Sequence, residues 1–133
     1  KGNDKVLMCS IFQHPFYPYS GTDKPAANMC NVPLAAGSGG EEFRDAVLQV
    51  WTPRLKEFKP QMILISAGFD GHYEDDMGGL KLVEKDYAWC TDHLKKLAAE
   101  MCDKRIVAML EGGYVMTSLA RSVGAHLRSL ADL

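Results

Sequence analysis

The sequence predicts an α/β fold in which helices cover a parallel sheet. Short apolar runs rich in β-branched residues alternate along the chain with longer stretches of helical period. In the second half the order is strand, helix, strand, helix, which right-handed crossovers build into a parallel sheet. With 133 residues, 47% of them hydrophobic, the chain can form one core but not two ordinary domains. We therefore predict a single unit over residues 1–133.

The first half of the chain predicts two strands and one helix. Residues 6–10 read as a strand and residues 31–34 as a second, shorter one. The segment between them, residues 13–27, is rich in proline and glycine and predicts a loop. Residues 41–58 carry apolar side chains at helical spacing, and Pro53 should kink or divide this helix because proline lacks the amide that bonds one turn back.

The second half predicts two buried strands, each followed by a helix. Residues 62–67 form a continuous apolar run that ends at Gly68, the pattern of a strand buried on both faces. Residues 84–102 repeat apolar side chains along one helix face. Residues 105–110 predict the next buried strand. The last helix carries an apolar row at Leu119, Val123, Leu127 and Leu130.

Composition argues against several classes of function. The net charge is -2, and the basic residues form no cluster, so direct nucleic-acid binding is not expected. No apolar run approaches the roughly 18 to 20 residues of a membrane helix, and no secretory leader precedes the first strand, so we expect a cytoplasmic protein without membrane contact. The four cysteines are widely spaced, which predicts reduced thiols rather than a zinc or redox motif.

A polar loop follows the predicted strand at residues 62–67, at the sheet edge where ligand sites gather. Asp70 and His72 in this loop form an Asp-x-His pair, whose oxygen and imidazole ligands suit zinc and other divalent transition metals. A strand-end loop without any metal accounts for the same pair. We interpret the acids that follow as a solvated turn rather than a cation site; they are Glu74, Asp75 and Asp76.

A second loop follows the predicted strand at residues 105–110. Its two glycines, Gly112 and Gly113, are consistent with a sharp bend that presents Tyr114 to a pocket. A simple turn into the last helix, with a half-buried tyrosine, fits the same residues.

Four segments of the chain resemble, in order and spacing, signature segments of the histone deacetylase superfamily. They are residues 13–21, 65–72, 78–80 and 110–114. The resemblance covers nearly the whole chain and is closest to bacterial class II-like zinc deacetylases. It implies the arginase/deacetylase α/β fold, of which residues 1–133 would be the C-terminal portion of the catalytic domain.

The resemblance also implies roles for single residues. Asp70 matches a zinc ligand of the family, whereas His72 matches a position that is not a ligand. Tyr114 matches the catalytic tyrosine, which donates a hydrogen bond to the carbonyl oxygen as it becomes an oxyanion. Three further residues match walls of the channel for an acyl-lysine side chain; they are Phe16, Tyr17 and Met77.

The family's catalytic histidine pair and its two other zinc ligands have no match in this sequence. His14 and His72 stand apart from one another, and His93 and His126 fall within predicted helices as packing or surface residues. Catalytic zinc normally has three protein ligands. We therefore expect zinc in the complete enzyme but not tightly held by this chain alone.

Two interpretations of this incomplete site stay open. The chain is either a fragment of a deacetylase acting on an acetylated lysine peptide or acetylated amine, or a truncated homologue serving as a non-catalytic interaction module. An acetylpolyamine amidohydrolase of the same superfamily is an alternative enzyme. Because an incomplete sheet leaves a strand edge and apolar faces uncovered, we also predict a homo-oligomer.

Overall fold

The computed structural model describes residues 2–133 and contains four strands and four α-helices in them. No helix of this part of the chain is long and apolar enough to cross a membrane. The first half contains β1 (Met8–Gln13), β2 (Met29–Leu34), α1 (Gly40–Asp45), a π-helical segment (Ala46–Trp51) and α2 (Thr52–Phe58). The second half contains β3 (Ile63–Ala67), α3 (Glu84–Met101), β4 (Ile106–Leu110) and α4 (Met116–Leu130).

The strands form two parallel pairs, as the predicted α/β fold with a parallel sheet requires. β1 pairs with β2, with Met8 opposite Met29. β3 pairs with β4, with Ile63 opposite Ile106. Within residues 2–133, no backbone ladder joins β1 to β3, so the sheet is interrupted between the two pairs.

The first strand lies further along the chain than predicted. It begins at Met8, not at residue 6, and runs on to Gln13, which the sequence placed in a loop. Pairing sets these limits, because the N–H of Met8 donates to Asn28 O and the N–H of His14 donates to Leu34 O at the two ends of β2. An apolar run alone did not reveal where that partner strand starts.

The predicted helix over residues 41–58 contains a π-helical segment just before Pro53, where the sequence predicted a kink or a division. Between α1 and α2 the chain forms the π-helical segment, and the N–H of Thr52 donates to Val47 O, five residues earlier. The hydroxyl of Thr52 donates to the same carbonyl at 2.8 Å. The wider turn therefore accommodates the proline without dividing the helix into two separate rods.

Helices cover one face of the strand pairs. Leu55 of α2 and Leu94 of α3 pack with Ile65 on that face of β3. The opposite face has no helix among the described residues, and Leu64 is 63% exposed there beside its register partner Val107. The prediction that helices cover the sheet is thus fulfilled on one side only.

The last helix buries small and polar side chains beside the predicted apolar row, of which Leu119 and Val123 pack against the core. Ser118, Ser122 and His126 recur every four residues and are all buried, whereas Leu127 is 53% exposed. The hydroxyl of Thr91 on α3 lies 2.7 Å from His126 Nδ1. His126 is therefore a packing residue, as predicted, and the small serines let α4 lie close against α3.

Candidate functional site

A cavity of about 600 Å³ opens at the carboxyl ends of β1, β3 and β4. All five site residues predicted from the sequence line it: Phe16, Tyr17, Asp70, Met77 and Tyr114. They come from three separate loops, which the parallel strands bring to one edge of the structure. Their catalytic and binding roles stay predictions.

Asp70 is held where the loops after β3 and β4 run side by side. The N–H of Glu111 donates to Ala67 O at 3.0 Å, and the N–H of Phe69 donates to Gly112 O at 2.8 Å. These bonds extend the β3–β4 ladder beyond the strands. The Cβ of any side chain at residue 112 would lie 2.7 Å from Asp70 Oδ2. Gly112 is therefore required so that the carboxylate can rest against the backbone.

The bend before Tyr114 depends on glycine, as the sequence suggested. Gly113 has φ of 139°, in the region that side chains rarely adopt. A Cβ there would also lie 2.6 Å from Leu119 Cδ1. The tyrosine that follows is 60% exposed, and its ring forms part of the cavity wall.

Asp75 joins the two loops, and its interpretation as a solvated acid was wrong. The residue is 3% exposed. Its Oδ2 accepts the N–H of Tyr114 at 2.7 Å, and its Oδ1 accepts the N–H of Met77 at 3.0 Å. Because both amides belong to predicted site residues, this carboxylate fixes their backbones. The only sequence signal was an acid two residues before Met77, the spacing at which an aspartate closes a turn onto the backbone.

The carboxyl group of Asp70 is perturbed by its surroundings. Loss of water at the apolar cavity wall raises its pKa above the usual 3.8, and the nearby Asp75 carboxylate raises it further. A hydrogen bond from its own backbone amide opposes these effects. A carboxylate of this kind gains more than a solvated one from a bound cation, so its setting fits a metal ligand.

His72 does not join Asp70 in the cavity. Its ring is 1% exposed and stacks obliquely on Tyr73, with centroids 4.9 Å apart. Its Nδ1 accepts the N–H of Glu74 at 3.2 Å, and its Nε2 lies 3.5 Å from Glu84 Oε1. The ring is thus a buried part of the loop, and the Asp-x-His spacing does not create a pair of ligands.

The donors present fit part of a zinc site. Among residues 2–133, no three His, Cys, Asp or Glu side chains come together in a way that could hold a metal ion. Asp70 is the one carboxylate among the described residues that line the cavity; Cys90 and His126 also line it, and the remaining walls are mainly apolar. A complete catalytic zinc site needs ligands beyond these.

The aromatic loop forms the outer wall of the cavity. Phe16 is 40% and Tyr17 is 80% exposed. The side-chain oxygen of Gln13 accepts the N–H of Gly79 at 2.6 Å and ties the end of β1 to the turn after Met77. These contacts place the aromatic loop beside the β3 loop.

Comparisons with known proteins agree over nearly the full length of the chain. Residues 1–130 match the family model described as the histone deacetylase domain. The chain is 37% identical, over 98% of its own length, to a type-2 histone deacetylase 2 of Dictyostelium discoideum, of which it covers 9%. It is 39% identical, over 84% of its length, to a probable deacetylase of Archaeoglobus fulgidus, of which it covers 33%.

Solved structures show the same likeness. The HD domain of HDA15 superimposes with a TM-score of 0.86 at 29% sequence identity. The alignment covers 96% of this chain and 37% of that domain. The chain thus spans between 9% and 37% of the length of these three proteins.

Proposed function

Because the chain belongs to the histone deacetylase family, we propose that it forms the C-terminal part of a zinc-dependent amide hydrolase that acts on acetyl-lysine or a related acetylated amine. The observation that carries this proposal is the meeting of a carboxylate, a phenol and apolar walls in one cavity, at Asp70, Tyr114, Phe16, Tyr17 and Met77. The chain would contribute these groups, and other residues would have to complete the site.

Asp70 would hold the metal as one of its ligands. Its raised pKa reflects partial loss of water, and a bound cation would compensate the carboxylate charge. Zinc, when bound, polarises an amide carbonyl and lowers the pKa of a bound water. The contact with Gly112 limits where the carboxylate can go, which would fix its direction toward the metal.

Tyr114 would donate its hydroxyl proton in a hydrogen bond to the oxygen of the reacting carbonyl. Charge builds up on that oxygen in the transition state, and one such donor is worth about 3 kcal/mol, or about a hundredfold in rate. The buried Asp75 carboxylate anchors the backbone of this tyrosine. The backbone that carries the tyrosine ring is therefore fixed in position.

The apolar walls would take the methylene stem of the acylated side chain. Phe16, Tyr17 and Met77 all line the cavity. Their exposed apolar surface would lose water when a methylene chain enters, which favours binding by about 25 cal/mol per Å² buried. The same surface accepts the stem of acetyl-lysine or of an acetylated polyamine.

A non-catalytic interaction module is the second candidate. It is favoured by the single carboxylate that the described residues bring to the cavity, since one ligand does not retain catalytic zinc. Zinc content after dialysis separates the two interpretations if it is measured twice, once for the purified chain alone and once for the chain within a larger protein that supplies the missing ligands. A chain that captures a partner protein but supports no zinc site in any context would favour the module.

The decisive experiment is a chimera. The stretch of the Archaeoglobus fulgidus deacetylase that aligns with this chain is replaced by this chain, and zinc content and hydrolysis of an acetyl-lysine peptide are measured. We expect about one zinc per chimera, lost in Asp70→Ala and kept in the matched control Asp76→Ala, whose side chain is exposed outside the cavity. Tyr114→Phe should lower kcat about a hundredfold, whereas Tyr19→Phe should leave it unchanged.

A folded chimera that holds zinc but is unaffected by Tyr114→Phe would contradict the proposal. If the chimera behaves as expected, competition between an acetyl-lysine peptide and an acetylated polyamine identifies the substrate class. A preference for the polyamine would assign the chain to the alternative amidohydrolase activity.

A further inference from the structure

Two of the four cysteines lie directly opposite one another in the first strand pair. Cys9 of β1 is the register partner of Cys30 of β2. Neighbouring strands lie about 4.8 Å apart, and register partners in a parallel pair direct their side chains to the same face. That separation falls within the roughly 4.4 to 6.8 Å between the Cα atoms of a disulfide. The backbone therefore already has the spacing that a bond between these cysteines needs.

The two thiols also interact in the reduced protein. Burial raises the pKa of the Cys9 thiol above its usual 9.0, and the neighbouring Cys30 raises it further, through its charge and through a hydrogen bond between the two side chains. The Sγ of Cys30 lies 3.8 Å from Val50 O in the π-helical segment, and Cys9 packs beside Leu55 of α2. Both sulfur atoms thus meet on the side of the strand pair that faces the helical layer.

The two thiols differ in their access to solvent. Cys30 is 6% exposed. Cys9 is half-buried and lines a second cavity, of about 480 Å³, between β1 and β3. A small oxidant that enters this cavity therefore meets Cys9 first and finds the Cys30 thiol beside it. An accessible thiol next to a second thiol is the arrangement in which oxidation ends in a disulfide.

We propose that Cys9 and Cys30 form a reversible intramolecular disulfide when the protein meets a hydroperoxide. The Cys9 thiolate attacks one oxygen of the peroxide, the O–O bond breaks, and the other oxygen leaves with a proton as water or an alcohol. Cys9 is then a sulfenic acid. The Cys30 sulfur attacks it, the S–S bond forms, and hydroxide leaves with the Cys30 proton as water. The thiols lose two electrons in total, and the peroxide gains them.

The other two cysteines have different surroundings. Cys102 is 1% exposed, and its thiol donates to Arg105 O at 3.5 Å. Cys90 lies within α3, and burial alone raises the pKa of its thiol. Neither of them is the register partner of another cysteine. We therefore treat both as packing thiols, and they serve as controls inside the same chain.

The geometry also predicts how the bond behaves. The Cβ atoms of register partners start about as far apart as the strands, which exceeds the roughly 3.5 to 4.5 Å of a disulfide. The bond is therefore somewhat strained, and strained disulfides are readily reduced. Its formation is slow near pH 7, because the raised pKa of Cys9 leaves little thiolate, and the rate should rise with pH.

Oxidation would constrain the wall of the first cavity. A bond between Cys9 and Cys30 closes a covalent loop over residues 9–30, which contains Phe16 and Tyr17 of the aromatic loop. The bond would limit how far the two ends of that loop can separate. The inference does not rest on the proposed deacetylase chemistry, because thiol oxidation needs neither zinc nor substrate, and either proposal can fail without the other.

Peptide mapping of the oxidised full chain tests the proposal. The chain is treated with hydrogen peroxide, the remaining thiols are alkylated in denaturant, and the product is digested with chymotrypsin, which cuts after Tyr19 between the two cysteines. We expect linked peptides that carry Cys9 and Cys30 in most of the oxidised molecules, together with alkylated Cys90 and Cys102. Dithiothreitol should restore all four thiols.

Two serine variants test the assigned order of reaction. In Cys30→Ser the sulfenic acid of Cys9 has no thiol beside it, so dimedone should label Cys9 at least about tenfold more than in the wild type. In Cys9→Ser the buried Cys30 should stay reduced and take up little dimedone. The mapping of the wild-type chain needs no variant, so a serine variant that fails to fold leaves the test intact.

Three results would overturn the proposal. One is a main product in which Cys9 or Cys30 is bonded to Cys90, to Cys102 or to another chain. Another is oxidation of Cys90 or Cys102 while Cys9 and Cys30 stay reduced. The third is a folded chain that keeps Cys9 and Cys30 reduced however long it is exposed to peroxide, while the denatured chain loses both thiols.

Discussion

Replacing Asp75 by asparagine should destabilise the chain and release both loops of the cavity. The carboxylate is 3% exposed and accepts two backbone amides, from Met77 and Tyr114. Asparagine retains one acceptor oxygen but turns an amide donor toward the second N–H. The loss of one buried hydrogen bond to a charged group costs about 2 kcal/mol. For a chain of this size that cost lowers Tm by roughly 8 °C.

The assay is thermal unfolding followed by circular dichroism, with amide exchange at Met77 and Tyr114 as the local measurement. Asp76→Asn is the matched control, because that neighbouring carboxylate is exposed and should change stability by less than about 0.5 kcal/mol. We expect faster exchange at the two amides in Asp75→Asn only. Equal unfolding temperatures for the two variants would refute the role assigned to Asp75.

Three further predictions follow from other parts of the structure. Gly112→Ala places a methyl group 2.7 Å from Asp70 Oδ2 and should weaken zinc retention by the chimera at least about tenfold. Hydrogen bonding to Arg121 lowers the pKa of Glu84 from 4.5 to about 2. This carboxylate therefore stabilises the fold above about pH 4.5 and loses that effect as the pH falls toward 2. Glu84→Gln should flatten the dependence of stability on pH in that window. The uncovered sheet face should cause self-association at high concentration, measured by light scattering, and Val107→Lys should reduce it.

Each of these predictions has a control within the chain. Gly124→Ala meets only the guanidinium of Arg128, at 3.5 Å, and should leave zinc retention unchanged. Glu41→Gln should keep the acid-dependent loss of stability seen in the wild-type chain. A wild-type chain that stays monomeric at high concentration would contradict the third prediction.

The parts of the fold that depend on local sequence could be predicted. The apolar run at residues 62–67 predicted a strand, and the observed strand Ile63–Ala67 falls within it; its predicted burial on both faces was wrong, because Leu64 is 63% exposed on the face that no described helix covers. The helix α3 begins at Glu84, as predicted, since its apolar period is uninterrupted. The loops after β3 and β4 were placed correctly because strand ends are marked by glycines.

Features that depend on distant partners could not be predicted. The start of β1 is set by Asn28, which lies 20 residues away in sequence from Met8. The burial of Asp75 depends on the distant Tyr114 amide, and the turn spacing before Met77 was too weak a signal to separate this acid from its exposed neighbour Asp76. The polar contact of His126 with Thr91 likewise joins two helices, so an apolar count along α4 misses it.

The candidate site, too, could be predicted only in part. The motifs placed Asp70 and Tyr114 in one cavity because both follow parallel strands, whose ends must meet. They also kept His72 out of the ligand set, and the structure buries this ring within its own loop. The interruption between the two strand pairs had no counterpart in the apolar pattern, because hydrophobicity reports burial and not strand pairing.

The interruption between the strand pairs has a consequence for cooperativity. β3, α3 and β4 form a crossover unit with its own ladder. No strand ladder joins β1 and β2 to this unit within residues 2–133; the first half contacts it through the packing of Ile11, the Gln13–Gly79 bond, and two loop bonds, from Gly37 N–H to Gly79 O and from Lys81 N–H to Ser38 O. The chain should then unfold in two steps, with the β1–β2 half losing its structure at a lower free energy of unfolding than the crossover unit.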